Sequence, residues 1–392
     1  MKVVTDEKRI EEILSRGVED IFIKEHLREV LLSGKQLRIK LGIDPTGPAI
    51  HLGRAITLRK LKAFQNLGHQ VVLIVGDFTA KIGDPSDKLE KRPMLTDEQI
   101  NNNLKKYLKQ IALILDLKNT EIRYNSEWLK KMNFIELGQL LECFTVQQMT
   151  KRRNFKKRID AGEDVFMVEF LYPALQGYDS VAVKSDVEIG GFDQLFNLKA
   201  GRTVQKRYKQ KEQDIMVLSM LEGTDGRKMS SSWGNTISLL DTSDVMYGQV
   251  MAVRDDLIIK YFTLCTDISI PEIVNFKKEL ESGTNPRNVK MKLAYEIVKI
   301  YHGEKRAQEA ETNFINKFQK KEIPDQIEEI NGGKPLEVFV MNHIASSTSA
   351  ARRLFDAGAV TDLTDNKKIT VKDELKSGHV YKIGKHRFIK IK

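Results

Sequence analysis

Two short stretches of this sequence carry side chains suited to phosphate chemistry. In residues 40–54, KLGIDPTGPAIHLGR, an apolar run is broken by Asp-Pro-Thr-Gly-Pro and followed by His51, Gly53 and Arg54. Leu41 and Ile43 suit a strand, the Pro/Gly cluster cannot continue one, and apolar residues resume at helical spacing over 55–64. The pattern reads as strand, turn and helix start, where unpaired backbone N–H groups and the positive end of the helix dipole attract an anion. Gly53 removes the side chain that would hold a phosphate or a flat ring at a distance. The second stretch, 226–235, GRKMSSSWGN, sets Lys228 beside Met229, Ser230 and Ser231 between glycines. Such a loop can bring a charge and hydroxyl donors onto a polyphosphate. Either stretch alone would pass for an ordinary turn or a solvated loop.

Other segments add groups of a different kind. In 169–179, EFLYPALQGYD, helical spacing puts Tyr172, Gln176 and Asp179 at i, i+4 and i+7, so a phenol, an amide and a carboxylate share one face. Residues 187–194, VEIGGFDQ, read as a strand ending in glycines, with Asp193 and Gln194 at its tip for ribose hydroxyls and a substrate carboxylate region. In the loop after 71–75, Asp84 sits where a carboxylate could hold an ammonium, and Lys88 or Arg92 could reach phosphate. The densest basic run is 151–158, in which Lys151, Arg152, Arg153, Lys156, Lys157 and Arg158 form a candidate track for an RNA stem.

The elements that must hold these groups follow from pattern and composition. With 392 residues, 41% hydrophobic and 30% charged, the chain can bury a sizeable core in two or three domains. No apolar run is long enough to span a bilayer, and the charged N-terminus has no signal-peptide core, so a cytoplasmic location is expected. Cys143 and Cys265 lie far apart in no metal-like spacing, which excludes a disulfide framework and a zinc site. A net charge of +10 suggests a polyanionic partner. Residues 5–33 read as helices, 55–67 as an amphipathic helix stopped by Gly68, and 71–75 as a buried parallel strand. Strand, helix, strand is the unit of a nucleotide-binding α/β sheet, and neither a P-loop nor a dinucleotide glycine motif occurs. Residues 95–117 and 128–150 read as long helices inserted between the halves of the sheet. From 241 to 321 the pattern is helical, with a start at Pro271, a loop at 283–286 and a helix over 289–301.

The segments IDPTGPAIHLGR, VGDFTAKIGDPSDK, EFLYPALQGYDS, VEIGGFDQ and GRKMSSSWGN resemble, in order and register, those of bacterial tyrosyl-tRNA synthetases. These are class I aminoacyl-tRNA synthetases, whose two signatures are written HIGH and KMSKS, and the resemblance extends over essentially the whole chain. It implies an α/β fold: a Rossmann-like parallel-sheet catalytic domain over 1–240, with a helical insertion at about 95–168. An α-helical anticodon-binding domain would follow over 241–322, then a linker at 323–334 and a small α+β RNA-binding domain over 335–392. There Ser346 to Leu354 would cap a helix whose Arg352 and Arg353 face phosphate. It also implies activation of tyrosine by ATP, with Mg2+ and no resident protein metal site, transfer to the 3′ end of tRNA(Tyr), and a homodimer formed through the inserted helices. Position by position, Asp84, Tyr172 and Gln176 would surround the tyrosine amino group, Asp179 would meet its phenol, and Gln194 would lie near its carboxylate. Asp44, Thr46, His51, Gly53, Gly191 and Asp193 would line the ATP side, with Arg54, Lys88, Arg92 and the loop of Lys228, Met229, Ser230 and Ser231 closing on the pyrophosphate.

The chain departs from the family pattern at four places. Arg54 stands for the last histidine of the first signature, Ser231 for the second lysine of KMSKS, Asp87 for a glycine, and Lys40 for a tyrosine that faces the phenol in some members. Arginine still donates to phosphate, whereas Ser231 removes a charge and leaves Lys228 to supply it. At this level a tryptophanyl-tRNA synthetase, a small nucleotidyltransferase of the same superfamily and a non-catalytic RNA-binding paralogue remain open as alternatives.

Overall fold

The computed structural model describes residues 2–85, 95–230, 233–319, 327–365, 367–384 and 387–392. The chain forms two compact units, Met1–Thr312 and Asn313–Lys392. In the first, a six-stranded sheet has the order β1-β6-β5-β2-β3-β4, built from β1 (Val18–Phe22), β2 (Arg38–Ile43), β3 (Gln70–Val75), β4 (Thr120–Tyr124), β5 (Val187–Gly191) and β6 (Asp214–Leu218). All pairings are parallel except that of β1 with β6. The β-branched run of β3 and the apolar Ile215 to Leu218 of β6 are buried along their length, as strands covered on both faces require.

Helices α1 (Glu7–Ser15) and α2 (Lys24–Leu32) flank β1, and α3 (Leu52–Asn66) joins β2 to β3. Between β3 and β4 come α4 (Thr79–Ile82) and α5 (Asp97–Ile111). The long connection from β4 to β5 holds α6 (Ser126–Leu129), α7 (Phe134–Leu141), α8 (Val146–Thr150), α9 (Arg153–Asp160) and α10 (Met167–Ala182). Helix α11 (Leu195–Arg207) joins β5 to β6. From β2 the chain builds outward through β3 and β4, and from β5 in the other direction to β6, so β2 and β5 meet where the strand order reverses. Open sheets of this kind bind ligands at that junction. Helices α10 and α11 approach closely: a Cβ on Gly177 would stand 2.8 Å from Val204 Cγ2 and 3.1 Å from the Ala200 carbonyl oxygen.

Three segments of the first unit depart from the pattern expected of them. Residues 5–33 are not helical throughout, because β1 forms an antiparallel edge there. Between the two expected long helices lies β4, whose Glu121 and Arg123 are held by Arg38 and Glu127, so polar side chains hide an edge strand from a hydrophobic pattern. Residues 128–150 are not one helix, since Asn133 and Thr145 each start a new one with a capping box, to Glu136 and Gln148.

Five further helices follow: α12 (Ser243–Met251), α13 (Ile258–Cys265), α14 (Ile270–Glu281), α15 (Pro286–His302) and α16 (Glu304–Gln319), the last running across the division between the units. Ser269 caps α14 with Pro271 in its first turn, and Asn285 caps α15. The second unit contains β7 (Glu328–Ile330), α17 (Pro335–Met341), α18 (Thr348–Asp356), β8 (Val360–Asp362), β9 (Lys367–Lys368), β10 (Val380–Ile383) and β11 (Arg387–Ile391). Its sheet has the order β7-β11-β10-β8-β9 and packs on Phe339, Ala351 and Phe355. Strand β7, parallel to β11, lies inside the segment expected to be a linker. Ser347 caps α18, and Arg352 and Arg353 are exposed on it. No described helix is long and apolar enough to cross a membrane.

Candidate active site

A cleft of about 740 Å3 opens at the carboxyl ends of β2, β3, β5 and β6. Its centre is Asp44, just past β2, whose Oδ1 accepts from Thr79 Oγ1 at 2.8 Å and whose Oδ2 accepts from the Tyr172 hydroxyl at 2.9 Å. Gly76 makes room for this carboxylate, since a Cβ there would lie 1.9 Å from Asp44 Oδ1. Asp44 therefore joins the two halves of the site that the sequence reading kept apart. Burial and the neighbouring carboxylates Asp44 and Asp84 push the Tyr172 phenol well above its ordinary pKa, so it remains a donor.

One end of the cleft is built on α10. Asp179 is 4% exposed and accepts from Trp128 Nε1 at 2.8 Å on Oδ1 and from Asn125 Nδ2 at 3.3 Å on Oδ2. Burial raises its pKa to about 7, against the opposing pull of the Lys40 ammonium and those two donors. Gln176 gives its amide Nε2 to Glu188 at 3.1 Å, which leaves its carbonyl oxygen to accept from a ligand. Asp84 accepts from Gln194 Nε2 at 2.6 Å and from Asn197 Nδ2 at 3.4 Å.

The other end is formed where the two signature stretches meet. The segment before α3 pairs with the arm after the loop: Leu52 donates to the Ile237 carbonyl and Leu239 to that of Ile50, both at 2.9 Å. Asn235 pins the loop itself, accepting from the Ser230 N–H at 2.9 Å and donating to Asp225 and to the Lys228 carbonyl. Lys228 Nζ rests on Asp193 at 2.8 Å. The Gly53 N–H, in the first turn of α3, points at the thioether of Met229, a weak acceptor that an anion can displace. His51 Nδ1 is buried without a hydrogen-bond partner among the described residues. Burial and the cations Arg54 and Lys228 depress the His51 pKa to about 3, so the ring is neutral at physiological pH. Arg54 donates to the Tyr107 hydroxyl on α5.

The cleft thus brings together Asp44, Thr46, His51, Gly53, Arg54, Asp84, Tyr172, Gln176, Asp179, Gly191, Asp193, Gln194, Lys228, Met229 and Ser230, all singled out from the sequence. Lys88, Arg92 and Ser231 lie outside the described residues. Two members of the basic run do not belong to a surface track. Arg158 is 3% exposed and forms a two-pronged pair with Glu169 at 2.6 and 2.9 Å. Arg152 is buried over the rings of Phe155 and Phe196 and donates to Asn197 at 3.1 Å, behind Asp84. On the amphipathic α9 and its entry, every third or fourth residue must face inward, which a count of charges does not reveal. Lys151, Arg153, Lys156 and Lys157 are exposed. Sequence reasoning missed Thr79, Asn125, Trp128 and Asn197, which act through contacts across 35 to 113 residues of chain and leave no local pattern.

A doubly wound parallel sheet, a nucleotide-type cleft at its switch point and two phosphate-directed loops pinned to each other define the arrangement of class I aminoacyl-tRNA synthetases. The family described as tRNA synthetases class I (W and Y) matches residues 32–319. The tyrosine–tRNA ligase of Thermotoga maritima is 46% identical, covering 99% of this chain and 98% of that protein. That of Carboxydothermus hydrogenoformans is 44% identical over 99% and 98%. Among solved structures, a C-terminally truncated mitochondrial tyrosyl-tRNA synthetase of Aspergillus nidulans superposes with a TM-score of 0.66 at 23% identity, covering 79% of this chain and 94% of that one. A tryptophanyl-tRNA synthetase of Plasmodium falciparum does so with a TM-score of 0.58 at 15% identity, over 80% and 90%. The chain belongs to the class I tRNA synthetases for tryptophan and tyrosine, and within them to the bacterial tyrosyl-tRNA synthetases.

Proposed function

We infer that the chain is an ATP-dependent tyrosine–tRNA ligase, and the observation that carries this is the buried Asp179 acceptor on the same α10 face as Tyr172 and Gln176. In the first step a tyrosine carboxylate oxygen attacks the α-phosphate of ATP, the bond to the bridging oxygen breaks, and pyrophosphate leaves. No covalent enzyme intermediate is needed, so the side chains position reactants and stabilise charge. Asp84, Tyr172 and the Gln176 carbonyl hold the ammonium, Asp179 accepts from the phenol, and Gln194 lies at the carboxylate. Asp193 takes ribose hydroxyls, while neutral His51, Arg54 and Lys228 donate to the phosphates, Lys88 and Arg92 being assigned there by family position. In the second step the 3′-terminal ribose of tRNA(Tyr) takes the tyrosyl group and AMP leaves.

Magnesium fits as a companion of the ATP phosphates, whose charge it would offset. The one grouping of three metal-capable side chains among the described residues is Asp362, Asp365 and His379 in the second unit, not in the cleft. Exchange of pyrophosphate into ATP should proceed with tyrosine and not with tryptophan or phenylalanine. Exchange with none of the three would sink the enzyme reading in favour of an RNA-binding protein, and exchange with tryptophan would reassign the pocket.

We divide the chain functionally into a catalytic part over 1–240, a helical part over 241–322 that reads the anticodon, and an RNA-binding part over 335–392. The exposed Lys151, Arg153, Lys156 and Lys157 supply phosphate contacts, as do Arg352 and Arg353. Reversing both arginines, Arg352→Glu with Arg353→Glu, should weaken tRNA charging roughly tenfold or more at physiological salt while leaving exchange unchanged. Equal charging by the variant would remove this contact. The chain also pairs with a second copy. Phe134 is 91% exposed, Met167 74%, Ile135 72% and Val146 63%, an apolar burden on the inserted helices that a monomer would not leave in water. Phe134→Asp with Ile135→Asp should sediment as a monomer, and a wild-type protein that is itself monomeric would refute the pairing.

A further inference from the structure

Beneath the α10 end of the cleft lies a buried ion pair whose positions are registered partners on β2 and β5: Lys40, 0% exposed, and Glu188, 1% exposed, with Lys40 Nζ 2.9 Å from Glu188 Oε1. The ammonium has three donors and three partners. Besides Glu188 it reaches the Gln176 backbone carbonyl at 3.0 Å and Ser180 Oγ at 2.8 Å, both on α10. The carboxylate is equally occupied. Its Oε1 also accepts from Gln176 Nε2 at 3.1 Å, and its Oε2 from Ser180 Oγ at 3.1 Å and from Gln213 Nε2. Room for this cluster is kept by Gly201 of α11, where a Cβ would lie 2.3 Å from Gln213 Nε2 and 2.8 Å from Ser180 Oγ. Burying two charges costs more than their attraction commonly returns, so a fully satisfied pair at this depth is better explained by what it positions than by stability.

We propose that the Lys40–Glu188 pair is the positioning element of the amino-acid subsite: it fixes the Gln176 amide and, by tying the middle of α10 to β2, the helix face that presents Asp179 to the phenol. The proposal rests on the tyrosine reading of the cleft and adds residues to it. Through Glu188 the pair holds Gln176 Nε2, turning that side chain's carbonyl oxygen toward a ligand. Through the Gln176 backbone carbonyl and Ser180 it ties the middle of α10 to β2. Among the groups acting on Asp179, Lys40 of β2 is the strongest that favours ionisation, Trp128 and Asn125 add neutral donors, and Glu188 of β5 opposes. Tyr172, on α10 itself, also feels the Asp179 charge.

The experiment measures kcat/KM for tyrosine and for phenylalanine in pyrophosphate exchange across pH 5.5–9, for the wild type, Lys40→Met, and Lys40→Met with Glu188→Gln. Groups at the ammonium and the phosphates act on both amino acids alike, so the ratio of the two values isolates the phenol contact. The double variant, which leaves no unpaired buried charge, should fold. Its tyrosine/phenylalanine ratio should fall on the acid side at a pH higher by roughly half a unit or more, with KM for tyrosine raised about tenfold and kcat changed less than about threefold. Lys40→Met alone, where folded, should shift it further, because Glu188 then acts unopposed. A folded double variant that keeps both the wild-type ratio profile and the wild-type KM for the two amino acids overturns the proposal, and an equal loss for both at every pH retains the Gln176 contact and removes the effect on Asp179. A wild type that does not prefer tyrosine overturns the reading beneath it, and the two failures are told apart before any variant is made.

Discussion

Replacing Asp179 by alanine is expected to lower kcat/KM for tyrosine by about two to four decades, roughly 3–5 kcal/mol, while changing the value for phenylalanine far less. The two amino acids differ by one hydroxyl, and an apolar slot alone separates such a pair poorly. A buried acceptor that loses its partner when phenylalanine binds separates them by about 10^4–10^5, a margin known from tyrosyl-tRNA synthetases themselves. Asp179 can act so because each of its oxygens already accepts one fixed donor, Trp128 on Oδ1 and Asn125 on Oδ2, which orients the carboxylate and leaves lone pairs for the phenol. A folded variant that keeps the full preference would show that the phenol is read elsewhere.

The same residue carries a pH dependence with opposite signs for binding and stability. Its folded pKa, raised to about 7 chiefly by burial, means that the anion needed by the phenol is lost as pH falls through 7, and tyrosine selectivity falls with it. For stability, a carboxyl raised above its unfolded value favours the folded state fully below about pH 4, and that contribution is lost as pH rises through 7. The ligand-free fold therefore bears a strain at neutral pH that the bound phenol relieves by hydrogen bonding.

Lys228→Ala should reduce kcat for adenylate formation by about 10^2–10^3 while moving KM for tyrosine by less than about threefold. In the ligand-free protein the ammonium rests on Asp193 at 2.8 Å, with both side chains partly open to solvent, so its resting partner is a carboxylate of the ribose side. As pyrophosphate leaves, negative charge accumulates on the phosphates, and the lysine gains more there than it made on Asp193. An interaction made mainly in the transition state appears in kcat. Ser231, where the family has a second lysine, adds no charge to share the load. The measurement is single-turnover adenylate formation at saturating and limiting tyrosine, and equal losses in kcat and tyrosine affinity would place Lys228 in ground-state binding instead.

The sequence by itself determined what is local. Leu41, Ile43, the Pro/Gly turn and the helical spacing after it specify β2, the anion-directed turn and α3, because period and backbone stiffness act over a few residues. The shared face of Tyr172, Gln176 and Asp179 follows from helical geometry alone. The cap expected within Ser346 to Leu354 falls at Ser347 for the same reason. Only the tertiary structure decided which of these groups meet. Asp44 joins Tyr172 across 128 residues, Asp179 receives Trp128 across 51, and Lys40 lies beside Glu188 because β2 and β5 are neighbours at the switch point of the sheet. The run 151–158 shows the limit most plainly. Six basic side chains look alike in sequence, but packing on a core turns some of them inward: Arg158 on α9 pairs with Glu169, and Arg152, at the N-cap of that helix, donates to Asn197. A side chain's type is written in the sequence, whereas its partner depends on packing between layers that distant segments build together.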